Sequence, residues 1–149
     1  MKWTPGKLKF ALNLYPPYFF TGVRVAAISP DWKKMEVSMR LRWFNKNAVG
    51  THFGGSLYSM VDPHHMLLMM QLLGRDYFVW DQTAKIVFRK PGRGHVRTTV
   101  QISDEILQEI LQQTSDGEPF RPEFELSILD DDNEIVATVS KVLYVRKKA

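Results

Sequence analysis

The residues best suited to chemistry lie in one segment, a glycine-rich stretch that ends in an acidic residue. It runs from Asn47 to Asp62 and reads NAVGTHFGGSLYSMVD. Gly54-Gly55 lies where a helix is predicted to begin, and glycines at a helix start leave backbone N–H groups unpaired and unshielded by side chains. Such groups can stabilise an anion or the oxygen of a polarised carbonyl. The segment therefore has the outline of an oxyanion hole.

Asp62 is the acidic group that such a site would use. It follows Gly55 by seven residues, and in a continuous helix this places it on roughly the same face but about 10 Å further along the axis. Asp62 is then too far away to reach the amides of its own helix start. If both act on one substrate, the amides belong to a second subunit whose helix runs antiparallel, and a two-fold dimer forms two such sites.

The side chains around Asp62 allow other interpretations. A carboxylate in an apolar helical run is costly to bury unless it is paired or used, which favours a function for Asp62 over a structural carboxylate held by hydroxyls. Ser56 and Ser59 are interpreted as hydrogen-bonding residues, because the chain lacks the Gly-x-Ser-x-Gly elbow of a serine nucleophile. Adjacent helical residues point about 100° apart, so His64-His65 does not predict a metal site. The absence of cysteine excludes a thiolate nucleophile or metal ligand.

Helices and strands that position this segment can be predicted from periodicity and from turn residues. We expect a short N-terminal helix after Thr4-Pro5 that Pro16-Pro17 stops, one long helix from Gly54 to Gly74, and a short helix from Ser103 through Gln113. Alternating residues predict strands over 23–28, 35–43, 77–90, 96–102, 123–129 and 135–145. One antiparallel sheet wrapped around the long apolar helix would bury that helix on all its faces, which predicts an α+β fold.

Composition limits the class of protein. The 149 residues, 44% hydrophobic and 24% charged, fit one globular domain. The net charge of +4 is spread along the chain, so no nucleic-acid partner is indicated. The most apolar stretch, Leu57 to Leu73, contains ionisable residues and predicts no membrane span. The N-terminus lacks a small-residue cleavage site, which makes a cytoplasmic location the expectation.

The motif Asn47-x-x-Gly50-Thr51, the pair Gly54-Gly55 and Asp62 resemble a known pattern. Hotdog-fold thioesterases of the phenylacetate-pathway type read Asn-x-x-Gly-x-x-His-Gly-Gly with an acidic residue seven places further on. Within that superfamily the chain looks like an uncharacterised bacterial branch in which His-Phe-Gly-Gly and Asp-Pro are typical. The resemblance implies a single hotdog domain over residues 1–149, with an antiparallel sheet wrapped around a long central helix.

The resemblance also implies roles for individual residues. Asp62 would be the general base or the nucleophile, the Gly55 N–H would polarise the thioester carbonyl, and Asn47 would help to place the attacking water. One position departs from the pattern, because Phe53 stands where the family has a histidine before the paired glycines. A shift of one residue re-aims a side chain, so the family role is not carried over to His52.

Three functions stay open at this point: an acyl-CoA thioesterase, a non-catalytic acyl-CoA binding protein, and an acyl thioester dehydratase or hydratase. The resemblance implies a substrate carried on coenzyme A or on acyl carrier protein, no cofactor apart from coenzyme A as part of the substrate, and a homodimer or homotetramer. The basic turn at residues 89–97 would hold the coenzyme A phosphates, unless it is only a solvated turn. Candidate substrate-binding residues are Gly54, His52, Ser56, Ser59, Trp80, Arg89, Lys90 and Arg93.

Overall fold

One antiparallel sheet of six strands organises the chain, of which the computed structural model describes residues 3–149. The strands are β1 (Val23–Ile28), β2 (Lys34–Arg40), β3 (Tyr77–Phe88), β4 (His95–Gln101), β5 (Glu123–Asp130) and β6 (Ile135–Lys147). They are hydrogen-bonded in the order β1-β2-β4-β5-β6-β3, so β1 and β3 form the two edges. Alternation of apolar and polar residues predicted all six strands.

The helices lie at the N-terminus, in the middle of the chain and between β4 and β5. They are α1 (Pro5–Leu14), α2 (Pro16–Thr21), α3 (Gly54–Ser59), α4 (His64–Leu73) and α5 (Asp104–Gln113). Thr4 caps α1 by accepting a hydrogen bond from the Lys7 N–H at 3.3 Å, and Ser103 caps α5 by accepting from the Ile106 N–H at 3.2 Å. None of the helices within residues 3–149 has the length and apolar character needed to cross a membrane.

The stretch from Gly54 to Leu73, predicted as one helix, is helical but interrupted. α3 ends at Ser59 and α4 begins at His64, with turns over residues 60–63 between them. Pro63 accounts for the interruption, because it has no N–H to donate to the preceding turn and it disfavours the helical conformation of Asp62. Asp62 therefore lies in the interruption, and the distance expected for a continuous helix does not apply to it.

The second strand ends earlier than predicted. The alternation continues to Trp43, yet β2 ends at Arg40 and Trp43 is 83% exposed. The buried Asn45 turns the chain at this point. Its Oδ1 accepts from the Arg42 N–H at 2.7 Å, and its Nδ2 donates to the carbonyls of Arg40 at 2.9 Å and Thr21 at 3.0 Å. Hydrogen bonds from one amide side chain thus replace the ladder that would have continued the strand.

α4 packs against the inner face of the sheet, where it contacts β2, β3 and β4. Leu68 and Met69 are its fully buried apolar side chains. α1 packs against the edge strand β1, and Asn13 joins the two: its side chain donates to the Val25 carbonyl at 3.0 Å and accepts from the Val25 N–H at 2.9 Å. These contacts bring α1 and α2 next to the start of α4, where Tyr18 packs edge-on against His64 with ring centroids 5.4 Å apart.

Candidate active site

Asp62 lines a cavity of about 470 Å³ between the N-terminal helices and the start of α4. Its carboxylate is the one acidic group in the lining, and 43% of its side chain is exposed. The lining residues are Leu12, Tyr15, Pro17, Tyr18, Ser59, Asp62, Pro63 and Leu67. A mostly apolar cavity with a single carboxylate can hold an apolar group and place one base or nucleophile beside it.

Lys141 lies behind Asp62 and is completely buried. Its Nζ is 3.3 Å from Oδ1 of Asp62 and 2.8 Å from Oδ1 of Asp81, whose side chain is 19% exposed. It also donates to the carbonyl of Val61 at 3.5 Å. One buried ammonium group therefore joins two carboxylates, of which only Asp62 lines the cavity.

The position of Lys141 in the sheet makes this pairing possible. On β6 the residues at alternate positions face the interior, and Val139, Lys141 and Leu143 are all buried in one row. β6 pairs with β3, on which Asp81 precedes a shift of register at residues 81–83. Sequence reasoning missed Lys141 and Asp81. Lys141 could have been found, because it is a lysine at an inward-facing position of an otherwise apolar strand.

Two tyrosines complete the surroundings of Asp62, and sequence reasoning missed them as well. The Tyr58 hydroxyl donates to Oδ1 of Asp62 at 3.4 Å, and the Tyr18 hydroxyl donates to the backbone carbonyl of Asp62. Burial, with the Asp62 charge as the next cause, raises the pKa of Tyr58 to about 12 and raises the pKa of Tyr18 further. Both phenols therefore stay protonated at neutral pH and act as hydrogen-bond donors.

His64 and His65 are buried at the start of α4. The His65 ring packs on Phe124 with ring centroids 4.4 Å apart. Burial, followed by the charge of Lys141, lowers the pKa of each histidine to about 3. Both rings are therefore neutral at physiological pH, and Lys141 supplies the positive charge beside Asp62.

Gly54 lines a second cavity, of about 450 Å³, at the start of α3. The lining residues are Asn47, Thr51, His52, Gly54, Leu57, Phe88, Arg89, Lys90, Pro91 and Gly92. An added Cβ on Gly54 would lie 2.9 Å from the Phe88 ring, and one on Gly55 would lie 2.6 Å from the Phe53 ring. A side chain at either position would therefore require the neighbouring aromatic ring to move.

Asn47 and His52 are held by backbone groups in this region. Oδ1 of Asn47 accepts from the N–H groups of Val49 at 3.1 Å and Thr51 at 3.0 Å, and its Nδ2 donates to Oγ1 of Thr51 at 2.9 Å. Nε2 of the buried His52 is 3.0 Å from the Gly94 carbonyl, and burial lowers the pKa of His52. Asn47 therefore shapes the loop before Gly54, and a contact with water stays a prediction.

The other predicted substrate-binding residues divide between the two cavities and the outer surface. Ser59 lines the Asp62 cavity, with its hydroxyl donating to the Gly55 carbonyl at 2.9 Å, and Ser56 is buried in α3. Trp80 lies outside both cavities, where it stacks on Tyr144 with ring centroids 4.1 Å apart. Neighbouring strand residues face opposite sides of a sheet, so Asp81 points to the site and Trp80 points away.

The basic residues of the turn also line different cavities. Arg89 and Lys90 line the Gly54 cavity, whereas Arg93 lines a separate cavity beside the acidic turn at residues 130–132. Lys90 forms ion pairs with Asp130 at 2.5 Å and with Glu134. Arg89 is exposed and forms no ion pair within residues 3–149. It is therefore the basic side chain of the turn best placed to bind an anion at the Gly54 cavity.

The Asp62 and Gly54 cavities have no lining residue in common. Within one chain, Asp62 and Gly54 therefore line different cavities, and Gly55, whose N–H is the predicted oxyanion donor, lines neither of the two. That Asp62 acts at the helix start of a second subunit stays a prediction.

The fold is similar to those of several solved structures. PA5026 of Pseudomonas aeruginosa, a protein of unknown function named as a probable thioesterase, is 16% identical, with 96% of each chain aligned and a TM-score of 0.81. Thioesterase HI1161 of Haemophilus influenzae is 13% identical over 99% of this chain and 93% of that one, with a TM-score of 0.70. A mutant of thioesterase PA1618 of Pseudomonas aeruginosa is 10% identical over 95% and 93%, with a TM-score of 0.69.

These similarities establish the fold, and the predicted hotdog architecture is confirmed. No curated protein matches the chain. The model of one protein family, a domain of unknown function called DUF4442, matches residues 6–145. The match covers nearly the whole chain. The protein therefore belongs to the DUF4442 family.

Proposed function

We propose that the protein is a cytoplasmic hydrolase of acyl thioesters, with acyl-CoA as its substrate, and that it works as a homodimer or a larger homo-oligomer. The observation that carries the proposal is the position of Asp62, a partly exposed carboxylate on an apolar cavity with a buried cation behind it. Such a cavity suits an acyl chain, and the carboxylate suits the activation of water. The thioesterase names of structures with the same fold add support.

Asp62 can drive the reaction by either of two routes. As a general base it takes a proton from water, the resulting hydroxide adds to the thioester carbonyl, and the C–S bond breaks; the thiolate takes the proton from Asp62 and leaves as the thiol, beside the acid. As a nucleophile it adds to the carbonyl and expels the thiolate, which takes a proton from water, leaving an anhydride that water hydrolyses. Both routes place negative charge on the carbonyl oxygen, where we assign the Gly55 N–H as donor.

A second copy of the chain would bring the two halves of the site together. β3 is an edge strand of 12 residues, none of which is buried, whereas the opposite edge strand β1 is covered in part by Asn13. A long exposed edge is a ready partner for a second chain. In a two-fold dimer the Asp62 cavity of one subunit would face the Gly54 cavity of the other.

The two cavities differ in the part of the substrate that they suit. The Asp62 cavity is lined mainly by aliphatic, proline and tyrosine side chains, which suits the acyl chain. The Gly54 cavity is lined by Arg89 and polar loop residues, which suits the thioester carbonyl and the phosphates of coenzyme A. We therefore favour acyl-CoA over an acyl carrier protein as the substrate, with Asn47 holding the loop that presents Gly54 and Gly55.

Thiol release from a panel of short, medium, long and aromatic acyl-CoAs tests the proposal. We expect release by the native chain and a loss of at least about 100-fold in the Asp62→Asn variant, as for removal of a general base. Asp132→Asn is the matched control, because Asp132 lies in the exposed turn between β5 and β6. Full turnover by Asp62→Asn would reject the assignment of Asp62.

One observation favours a second function, acyl-CoA binding without hydrolysis. The Phe53 ring lies so close to Gly55 that an added Cβ would be 2.6 Å from it, and such a ring can keep water from the thioester. This function predicts a rise in Tm with acyl-CoA in the absence of any thiol release. A dehydratase or hydratase gains no comparable support, because His52 bonds to a backbone carbonyl and not to a carboxylate.

A further inference from the structure

Lys141 and Asp81 form an ion pair on the inner face of the sheet that the sequence did not reveal. Nζ of Lys141 is 2.8 Å from Oδ1 of Asp81 and 3.3 Å from Oδ1 of Asp62. The lysine is fully buried, the side chain of Asp81 is 19% exposed, and Asp62 reaches the cavity. The buried ammonium group thus connects Asp81 on the edge strand β3 with Asp62 at the cavity.

We propose that Lys141 and Asp81 act as a positioning pair for Asp62, holding its carboxylate at the cavity and keeping the buried ammonium neutralised while Asp62 loses its charge. This inference rests on the proposed thioester hydrolysis. Lys141 and Asp81 are positioning residues, because neither lines the Asp62 cavity and both act through Asp62.

The charges of the cluster explain why two carboxylates are needed. The resting cluster has two carboxylates and one ammonium. When Asp62 accepts the proton of water, or when its oxygen forms the anhydride, its negative charge disappears from beside Lys141. A buried ammonium without a counter-ion is strongly unfavourable. Asp81 stays within 2.8 Å throughout and leaves Lys141 paired.

The surroundings indicate that Lys141 serves Asp62 rather than the packing of the sheet. Its neighbours in the inward row of β6, Val139 and Leu143, are apolar and buried, so an aliphatic side chain would fill this place without the cost of burying a charge. The Tyr58 ring also lies near Lys141, with Nζ 5.8 Å from the ring centroid, and the Tyr58 hydroxyl donates to Asp62 at 3.4 Å. Two of the side chains around the lysine, Asp62 and Tyr58, are thus also bonded to each other.

The experiment compares kcat and KM for thiol release by full-length native protein, Asp81→Asn, Lys141→Met and the double variant. We expect Asp81→Asn to lower kcat by between about 10- and 100-fold, as for a misplaced catalytic group, with KM changed less than about two-fold. Lys141→Met leaves two carboxylates without their cation, which destabilises the fold, so the double variant Lys141→Met/Asp81→Asn carries the second measurement of kcat.

The double variant separates positioning from a structural role. The double variant removes both charges of the Lys141–Asp81 pair, so its Tm should lie above that of Lys141→Met. Its kcat should stay at least about 10-fold below the native value. Native kcat in Asp81→Asn or in the double variant would overturn the positioning role and leave the proposed hydrolysis intact. Native turnover in Asp62→Asn would overturn the hydrolytic mechanism and the positioning role with it.

Discussion

At the scale of single residues, substitution of Arg89 tests whether the protein binds the coenzyme A part of the substrate. It lines the Gly54 cavity, whereas the neighbouring Lys90 is held by two acidic residues. We expect Arg89→Gln to raise KM for acyl-CoA by about 10-fold, the effect of losing roughly 1.4 kcal/mol of a charge-assisted contact. The measurement is thiol release with acyl-CoA and with the matching acyl-pantetheine, which lacks the nucleotide phosphates.

Arg93→Gln is the matched control for this prediction. Arg93 belongs to the same turn but lines a separate cavity beside acidic residues 130–132. KM for acyl-CoA should therefore change little in this variant. An equal rise in KM for acyl-CoA and acyl-pantetheine in Arg89→Gln would contradict a phosphate contact.

His65 predicts how stability depends on pH. Burial lowers its pKa in the folded protein to about 3 from the ordinary value near 6.5. Below pH 6.5 the unfolded chain therefore binds a proton that the folded chain does not bind, and stability falls as the pH falls. The slope is about 1.4 kcal/mol per pH unit for each such histidine. Urea unfolding at pH 7, 6 and 5 measures it.

His65→Phe should reduce that slope by about 1.4 kcal/mol per pH unit, because the new ring can stack on Phe124 and does not titrate. Met69→Leu, a buried substitution on the same helix, is the control that should keep the native slope. The prediction is wrong if His65→Phe and Met69→Leu give the same dependence on pH.

Sequence reasoning found part of the candidate site because its parts are close in the chain. Asp62 and Gly55 belong to one segment, and their spacing carries information about distance. Lys141 reaches Asp62 across 79 residues of sequence, and no local pattern relates the two. Trp80 was predicted to bind the substrate, and Asp81 was not. Which of the two faces the inside of the sheet depends on how β3 pairs with β6, and the local sequence does not show that pairing.

At the scale of elements, the connection between α1 and β1 shapes the Asp62 cavity. Asn13 forms both hydrogen bonds with the backbone of Val25, and α1 supplies Leu12 to the cavity wall. Asn13→Ala should lower the free energy of unfolding by about 1–3 kcal/mol through loss of two hydrogen bonds. It should also raise KM for long acyl chains, because the wall formed by α1 is less firmly held.

Ser103→Ala provides the comparison for Asn13→Ala. It removes the cap of α5, which contributes no residue to either cavity, at a cost of about 1 kcal/mol. Urea unfolding should detect this loss, while the chain-length profile of thiol release should stay native. If both variants shift the profile equally, the effect comes from global stability and not from the wall of the cavity.

The order of the strands and of the other helices follows from sequence periodicity, but α2 was not predicted, because Pro16-Pro17 was expected only to stop α1 and instead also begins a second helix. Two of the element ends were not predicted either. The alternation from Met35 to Trp43 correctly predicts a strand, but the hydrogen bonds of Asn45 end it at Arg40. Apolar content from Gly54 to Leu73 correctly predicts helix, but Pro63 divides it into α3 and α4. In both places one side chain controls backbone hydrogen bonding, which a hydrophobic pattern does not record.

At the scale of the whole molecule, the division of the site between two cavities predicts complementation between subunits. Asp62→Asn and Gly55→Val should each be inactive alone, the second because its side chain would collide with Phe53. After the two variants are unfolded together and refolded as an equal mixture, half of the dimers are mixed, and each has one intact site. Thiol release should recover to about a quarter of the native rate.

Native mass spectrometry establishes whether mixed dimers have formed. Mixed dimers without recovered activity would show that Asp62 and Gly55 do not act across a subunit boundary. A mixture of Asp62→Asn with Asp62→Asn/Gly55→Val is the control, because no combination of these chains supplies an intact site.

The buried Lys141 also constrains how the protein can change over evolutionary time. Loss of Lys141 alone leaves Asp81 without its cation, and loss of Asp81 alone leaves Lys141 with Asp62 as its one acidic partner, whereas loss of both removes the buried pair. Homologous chains are therefore expected to keep both residues or to replace both, and to show an aliphatic residue at position 141 where position 81 is uncharged. Homologues that have replaced both residues are expected to keep the fold and to lack the hydrolytic activity.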